Sequence, residues 1–209
     1  STKRQNFDRP LRDDLPNLNQ YAHLIMGDGT TKIVGYTEAS RGCKHKCRHC
    51  PVVPVYQGRF RIIPADLVLA DIRQQIKKGA QHISFGDPDF LNGPRHAMDI
   101  VSALHNEFPD ISFDATIKVE HLLKHKDLLP TLKKTGCLFI TTAVESVEEE
   151  ILILLDKGHT QVDFKLVAKI ISDNGLTISP TFVPFTPWTT KKGFMHLLDT
   201  SSSTLKIKK

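Results

Sequence analysis

The sequence predicts an α/β protein built around a parallel sheet, and three observations support this class. The 209 residues are 40% hydrophobic and 24% charged, which is the usage of an ordinary globular domain. Short apolar runs rich in β-branched and aromatic residues alternate about five times with amphipathic stretches of helical period. Parallel strands joined by right-handed helical crossovers satisfy this alternation, either in a barrel or in an open doubly wound sheet.

The predicted elements follow one another in a regular order. The first half predicts a strand at 32–39, a helix from Pro64 to Gly79, a strand at 82–85, a helix at 94–108 and a strand at 111–117. Pro64 suits a first helical turn, and Val68 and Ile72 repeat at the four-residue spacing of a buried face. The second half predicts a helix at 122–134, a strand at 137–144, two further helices and a fifth strand at 176–183.

Local signals mark the starts of the later helices. Pro130 is expected to kink or split its helix, because its ring removes one helical hydrogen bond. Ser146, with Glu149 three residues later, predicts a capping box at the start of one helix. Thr160 and Asp163 open the next helix.

The division into domains follows from these elements. Residues 32–190 are assigned to a core domain, between an extension at 1–31 and a basic, Ser/Lys-rich tail at 191–209. A barrel needs at least one strand more than the five predicted, so the barrel is expected to be truncated after its fifth strand. In a barrel or an open sheet the site lies at the carboxyl ends of the strands.

The net charge of +5 lies mainly at the two ends of the chain. Residues 1–12 hold four basic groups and one acid, residues 191–209 hold five and one, and residues 13–190 hold 19 and 21. One basic cluster remains, because six Lys or Arg and no acid lie between Arg41 and Arg61. Such a patch suits an anionic cofactor or a phosphate-bearing substrate, whereas the core offers no broad surface for nucleic acid.

The sequence also predicts a cytoplasmic protein that does not enter the membrane. No apolar run approaches the roughly 20 residues of a membrane-spanning helix. The amino terminus lacks the apolar segment of a signal peptide. Four cysteines in 209 residues do not make a small disulfide scaffold.

Three of the four cysteines fall within eight residues, directly after the first predicted strand. Cys43, Cys47 and Cys50 have the spacing C-x3-C-x2-C, and neighbouring lysines and arginines are expected to lower their pKa values. Thiolates this close repel one another unless a metal neutralises them. Structural zinc would need a fourth ligand such as His45 or His49, whereas an iron–sulfur cubane on three cysteines keeps one iron open. Three unconnected thiols are the remaining alternative.

This cysteine loop resembles the signature of the radical S-adenosylmethionine (radical SAM) superfamily, and the resemblance extends over about residues 33–189. It implies a partial (βα)6-type TIM barrel in which Cys43, Cys47 and Cys50 hold a [4Fe–4S] cluster. It further implies that S-adenosylmethionine (SAM) binds the open iron and is reductively cleaved. The resulting 5′-deoxyadenosyl radical would abstract hydrogen from a substrate.

Further segments resemble the family motifs that contact SAM. Phe85-Gly86-Asp87-Pro88 is similar to a Gly-Gly-Glu-Pro motif, with Phe85 in place of the first glycine. His49 stands where many members have an aromatic residue near the adenine. By this resemblance, the SAM-binding residues are Gly86, Asp87, Pro88, Thr116, Lys118, Glu145 and Lys157.

Two loops and the last cysteine complete the predicted picture. Residues 90–94 and 184–189 are expected either to line a substrate pocket or to plug the barrel with apolar side chains. Cys137 is expected to be a buried small hydrophobe. The amino-acid sequence of residues 51–56 and 85–94 resembles that of a subgroup named for a CUAEP/CCAEP tail, although this chain lacks that tail.

The functional prediction is therefore a radical SAM enzyme with an unidentified substrate and no assigned catalytic residue. A small molecule or peptide is favoured over tRNA as substrate, and a flavodoxin- or ferredoxin-like protein is the expected electron donor. Two alternatives stay open at this point. One is a zinc-stabilised binding module without enzymatic activity, and the other is a catalytically inactive radical SAM remnant.

Overall fold

A computed structural model describes residues 6–204 as a mixed α/β fold. Its strands are β1 (His23–Ile25), β2 (Thr31–Thr37), β3 (Ser40–Gly42), β4 (Phe60–Ile62), β5 (His82–Phe85), β6 (Ser112–Thr116), β7 (Cys137–Glu145) and β8 (Thr177–Phe182). Its helices are α1 (Val52–Tyr56), α2 (Ala65–Lys77), α3 (Pro94–Glu107), α4 (Val119–Lys124), α5 (Leu129–Lys134), α6 (Glu149–Leu154), α7 (Gln161–Asp173) and α8 (Lys191–Thr204).

The main sheet has the strand order β1-β2-β5-β6-β7-β8. The strands from β2 to β8 in this order are all parallel, and each pairs with the next one along the sheet. An open doubly wound sheet reverses its strand order at a switch point, and this sheet does not. The sequential order is that of a partial barrel, so the predicted fold class and its five parallel strands are confirmed.

Two segments outside the predicted core are also ordered into elements. Within the predicted extension, β1 pairs antiparallel with β2 and adds a sixth strand at the sheet edge. Within the predicted tail, α8 continues as a helix up to Thr204, and the remaining residues 205–209 lie outside the described part of the chain. Three strand residues are too few for a periodic signal, which is why the sequence did not predict β1.

The hydrophobic core lies between the sheet and the helices packed on its outer face. Ile83, Phe85 and Phe113 are at most 2% exposed and belong to this core. Successive side chains of a strand point to opposite faces, so His82 and Asp114 project from the other face, where His82 Nε2 lies 2.8 Å from Asp114 Oδ1. The inner face of this part of the barrel is therefore polar.

The predicted helix starts are partly confirmed. Pro130 splits its helix as expected, since α4 and α5 are separated by a 3-10 turn at Lys126–Leu128. Thr160 and Asp163 open α7 as predicted, and the structure shows that they do so through a capping box. The capping box at Ser146 is wrong: α6 follows Glu148, and the Ser146 hydroxyl accepts a hydrogen bond from the Glu148 amide at 3.1 Å. Ser146 lies too far upstream to cap α6 because a turn intervenes.

None of the helices in residues 6–204 is both long and apolar enough to cross a membrane.

Candidate cofactor site

The cysteine loop is closed at its base by a small antiparallel ribbon. Strands β3 and β4 pair Ser40 with Ile62 and Gly42 with Phe60, so residues 43–59 form a loop with fixed ends. Gly42 has φ +86°, and a Cβ there would lie 2.5 Å from the Arg59 carbonyl oxygen. Only glycine fits this close approach without strain. The ribbon and α1 were not predicted, because both are short and lie within a basic, turn-rich segment.

The three loop cysteines are free thiols, as is Cys137. Cys43 and Cys47 are buried, Cys50 is half-buried, and Lys118 Nζ lies 3.9 Å from Cys47 Sγ. Burial raises the pKa of the Cys43 thiol, and the nearby Asp89 adds to this shift. The expected lowering of the pKa is therefore wrong for Cys43, because loss of hydration outweighs the neighbouring cations.

Residues 90–94 pack beneath the cysteine loop. Phe90, Leu91 and Asn92 are all at most 2% exposed. The Asn92 side chain accepts a hydrogen bond from the Lys44 amide at 3.2 Å and donates one to the Gly42 carbonyl at 3.5 Å. Two roles were predicted for this segment, a substrate-lining loop and an apolar plug. Phe90 and Leu91 are buried as a plug would be, but the buried Asn92 is polar. Asn92 instead supports the cysteine loop, a role that no sequence motif marked.

The Asp87 side chain ties the end of β5 to the segment that precedes the cysteines. Its carboxylate accepts hydrogen bonds from the Ala39 amide at 2.8 Å and from the Ser40 hydroxyl at 2.6 Å. Asp87 is 2% exposed, and burial raises its pKa to about 6 despite these two bonds. The neighbouring Gly86 amide donates to the Thr37 carbonyl at 2.8 Å. The side chain of Asp87 is thus occupied within the protein.

Glu145 occupies a strained position at the end of β7. Its φ of +67° is rare for a residue with a side chain, and the pairing of β7 with β8 shifts register just before it. Its carboxylate lies 3.0 Å from His49 Nε2 and accepts a hydrogen bond from Lys157 Nζ at 3.2 Å. Strained backbone of this kind concentrates at functional sites. His49 of the cysteine loop and Lys157 therefore meet at the Glu145 carboxylate.

The other predicted residues occupy several places on the barrel. Thr116 is half-buried at the end of β6, and Lys118 follows it with only 7% of its surface exposed. Cys137 lies at the opposite, amino end of β7, where burial raises its pKa to about 12, as expected of a buried small hydrophobe. In the loop at 184–189, Phe185 is 72% exposed and stacks on Phe194 of α8 at 5.0 Å, so this loop packs on a helix.

A comparison with protein families decides the affiliation of the chain. A family model described as the radical SAM superfamily matches residues 37–199. The chain belongs to the radical SAM superfamily. The members of this superfamily that the chain resembles are enzymes, so the predicted enzyme class is confirmed at the level of the family.

Curated relatives are similar over most of the chain. The tRNA-2-methylthio-N(6)-dimethylallyladenosine synthase of Aliivibrio fischeri (strain MJ11) is 24% identical over 93% of this chain and 43% of its own length. The ribosomal protein uS12 methylthiotransferase RimO of Porphyromonas gingivalis (strain ATCC 33277) is 21% identical over 81% of this chain and 41% of its own length. The chain thus spans less than half the length of these relatives.

Solved radical SAM structures share the fold. TsrM from Kitasatospora setae, a radical SAM methyltransferase, matches with a TM-score of 0.68 and 16% identity over 82% of this chain and 34% of its own. Structures of TsrM contain a SAM analogue in one case and a [4Fe–4S] cluster with cobalamin in another. The predicted radical SAM cofactors, a [4Fe–4S] cluster and SAM, are confirmed for the family. The CUAEP/CCAEP subgroup stays a prediction.

Proposed function

We propose that Cys43, Cys47 and Cys50 hold a [4Fe–4S] cluster and that SAM binds at its open iron. The donor set supports this proposal, because three soft thiolates on one loop suit iron–sulfur ligation. The Lys118 ammonium group lies 3.9 Å from the Cys47 sulfur, so a cation stands beside the proposed ligands. When bound and reduced, the cluster supplies the electron that cleaves SAM to methionine and a 5′-deoxyadenosyl radical.

The surroundings of the two loop histidines disfavour the zinc alternative. A structural zinc site on three cysteines needs a fourth ligand. His49 contacts Glu145 at 3.0 Å, and His45 faces Asp89 and Glu120 at 3.7 and 3.5 Å. Both imidazoles are thus directed at carboxylates. Cys137 lies at the far end of β7 and is not available as a fourth thiolate.

The meeting of His49, Glu145 and Lys157 is the observation that carries the SAM-binding proposal. It joins the cysteine loop to the carboxyl end of β7, where a barrel places its ligands. We assign the Lys157 ammonium group to the SAM carboxylate, with Glu145 holding that ammonium in place at 3.2 Å. The backbone at Gly86 and Pro88 and the side chains of Thr116 and Lys118 complete the proposed contacts, as the family resemblance implies.

Replacing single cysteines tests the ligand assignment. Cys47→Ala should lose the cluster and all 5′-deoxyadenosine formation, while its far-UV circular dichroism stays close to that of the wild type. Cys137→Ala is the matched control, because it removes a buried thiol far from the loop and should keep about four irons per chain. A Cys47→Ala protein that retains its cluster and forms 5′-deoxyadenosine at the wild-type rate would refute the assignment.

Radical SAM enzymes use a reductant and act on a substrate, and for this chain both identities are proposals. We propose a flavodoxin- or ferredoxin-like electron donor. For the substrate we propose a small molecule or peptide, because the basic residues of 13–190 are outnumbered by acids and cluster only between Arg41 and Arg61.

A modified tRNA is the second candidate substrate, because the name of the relative from Aliivibrio fischeri specifies tRNA. Anisotropy titrations with labelled tRNA at two salt concentrations separate the two candidates. A salt-dependent complex of micromolar or tighter affinity would favour tRNA, since each neutralised phosphate adds to the salt dependence. Millimolar or no binding would favour the small molecule or peptide.

A further inference from the structure

A second group of ligand-type side chains lies beside the cysteine loop and contains no cysteine. His45 comes from the loop itself, Asp89 follows β5, and His121 lies on α4. One ligand atom from each of the three residues lies within 4.8 Å of the other two. Segments far apart in sequence are thus brought to one point by the fold.

These ligand atoms lack ordinary partners. In the described part of the chain, His45 Nε2, Asp89 Oδ2 and His121 Nδ1 are buried and make no hydrogen bond. His121 Nδ1 lies 2.7 Å from Asp89 Oδ2, but the two groups are not aligned for a hydrogen bond. Asp89 is fully buried, and its Oδ1 accepts only a long hydrogen bond, from the Lys118 amide at 3.5 Å. Leaving the other buried carboxylate oxygen, Oδ2, without a partner is costly. Such an arrangement calls for a positive charge between the three groups.

We propose that His45, Asp89 and His121 bind one divalent transition-metal ion, with zinc as the probe. Asp89 Oδ2 lies 3.7 Å from His45 Nε2 and 2.7 Å from His121 Nδ1. Ligands of an ion held at about 2.0–2.1 Å are separated by about 2.9–3.4 Å. The three ligand atoms lie within 4.8 Å of one another, so the side chains must draw together by up to roughly 1.5 Å to complete the site. Two imidazoles and one carboxylate are a common ligand set for zinc and for iron(II), and they leave a coordination position open.

Glu120 provides the outer support that metal-binding histidines usually have. Its Oε2 lies 3.5 Å from His45 Nδ1, the ring nitrogen that does not face Asp89. The same oxygen lies 3.7 Å from Lys118 Nζ. A carboxylate at this position orients the imidazole and makes its other nitrogen a better ligand. The ion would tie the cysteine loop to α4 and to the segment after β5, using none of the three loop thiols.

Zinc binding to the reconstituted protein tests the proposal. After cluster assembly, iron and sulfide are counted and zinc is titrated in competition with a chromophoric chelator. We expect one zinc per chain with no loss of iron. Asp89→Asn and His121→Ala should weaken zinc binding by more than about 100-fold, and Glu120→Gln by about 10- to 100-fold. His125→Ala is the matched control, a nearby histidine outside the ligand set, and should bind zinc like the wild type.

Two readouts keep the zinc site separate from the cluster and from misfolding. Cobalt(II) in place of zinc reports the ligands directly, because thiolate ligation adds an intense near-ultraviolet band that His and Asp ligation lack. This spectrum is recorded on protein that carries its cluster, so that the three loop thiols are not free to bind cobalt. Zinc should also raise the melting temperature of the wild type and of His125→Ala, but not of Asp89→Asn.

Three outcomes would overturn the proposal. The first is that the protein binds no stoichiometric zinc. The second is that it takes up zinc only as iron is lost, or that the cobalt(II) spectrum shows the thiolate band. The third is that zinc affinity is unchanged in both Asp89→Asn and His121→Ala. A failure to form 5′-deoxyadenosine would contradict the proposed function alone and leave this result unaffected.

Discussion

Replacing Asp87 by Asn should change how the stability of the protein depends on pH. The buried Asp87 carboxyl joins the end of β5 to Ala39 and Ser40, and its pKa is raised from 3.8 to about 6. An Asn side chain of the same shape can accept from the Ala39 amide and donate to the Ser40 hydroxyl. The substitution therefore removes the titration while it keeps two hydrogen bonds.

The magnitude follows from the shift in pKa. Because the folded pKa is the higher one, the folded chain takes up a proton between about pH 6 and pH 4 while the unfolded chain does not. The contribution of Asp87 to the unfolding free energy thus grows as pH falls and is lost as pH rises through about 6. Raising the pKa from 3.8 to about 6 corresponds to about 3 kcal/mol, of which about 1.3 kcal/mol develops between about pH 7 and pH 5.

Urea unfolding of the cluster-free protein at about pH 7 and about pH 5 measures this effect. The difference in unfolding free energy between wild type and Asp87→Asn should shift by about 1.3 kcal/mol in favour of the wild type at the lower pH. Asp110→Asn, which changes an exposed carboxyl, serves as the control and should leave the pH dependence of the wild type unaltered. A difference between wild type and Asp87→Asn that is equal at both pH values would refute the reasoning.

Three further substitutions test other contacts of the site. Glu145→Gln should weaken SAM binding about tenfold or more while iron content stays unchanged, because it leaves the Lys157 ammonium without its charged partner. An unchanged SAM dissociation constant would contradict this role. Gly42→Ala should lower the unfolding free energy by about 1–3 kcal/mol, since its φ of +86° and the nearby Arg59 carbonyl oppose a side chain; urea midpoints equal to wild type would count against it. Asn92→Ala should lower the unfolding free energy by about 1–3 kcal/mol, because the Lys44 amide loses its hydrogen-bond partner. It should also speed the loss of the cluster to a chelator. A cluster that is lost as slowly as in the wild type would exclude the supporting role.

Periodic signals in the sequence were enough to predict the parallel strands and their helices, whereas the choice of a barrel over an open sheet came from the family resemblance. Val68 and Ile72 on α2 repeat at the four-residue spacing of a helix face, and both side chains lie in the core as expected. The helix start at Thr160 is also a local signal and was predicted correctly. The capping box predicted at Ser146 was wrong, because the same residue spacing also fits a turn ahead of α6. Only the backbone geometry distinguishes the capping box from the turn.

The site was predictable only where a fixed spacing marks it. The three cysteines lie within eight residues, so their proximity is inherent in the sequence. Asn92 and the group of His45, Asp89 and His121 meet their partners only through the packing of loops from different strands. Such encounters depend on tertiary structure, and one sequence carries no periodic or spacing signal for them.

Anaerobic reconstitution with iron and sulfide, followed by reduction in the presence of SAM and an assay for 5′-deoxyadenosine, tests the central claim most directly. The account predicts about four irons per chain and formation of 5′-deoxyadenosine. A cluster that never cleaves SAM would contradict the proposed activity and favour an inactive remnant. Zinc on the three cysteines in place of iron and sulfide would contradict the cofactor assignment altogether.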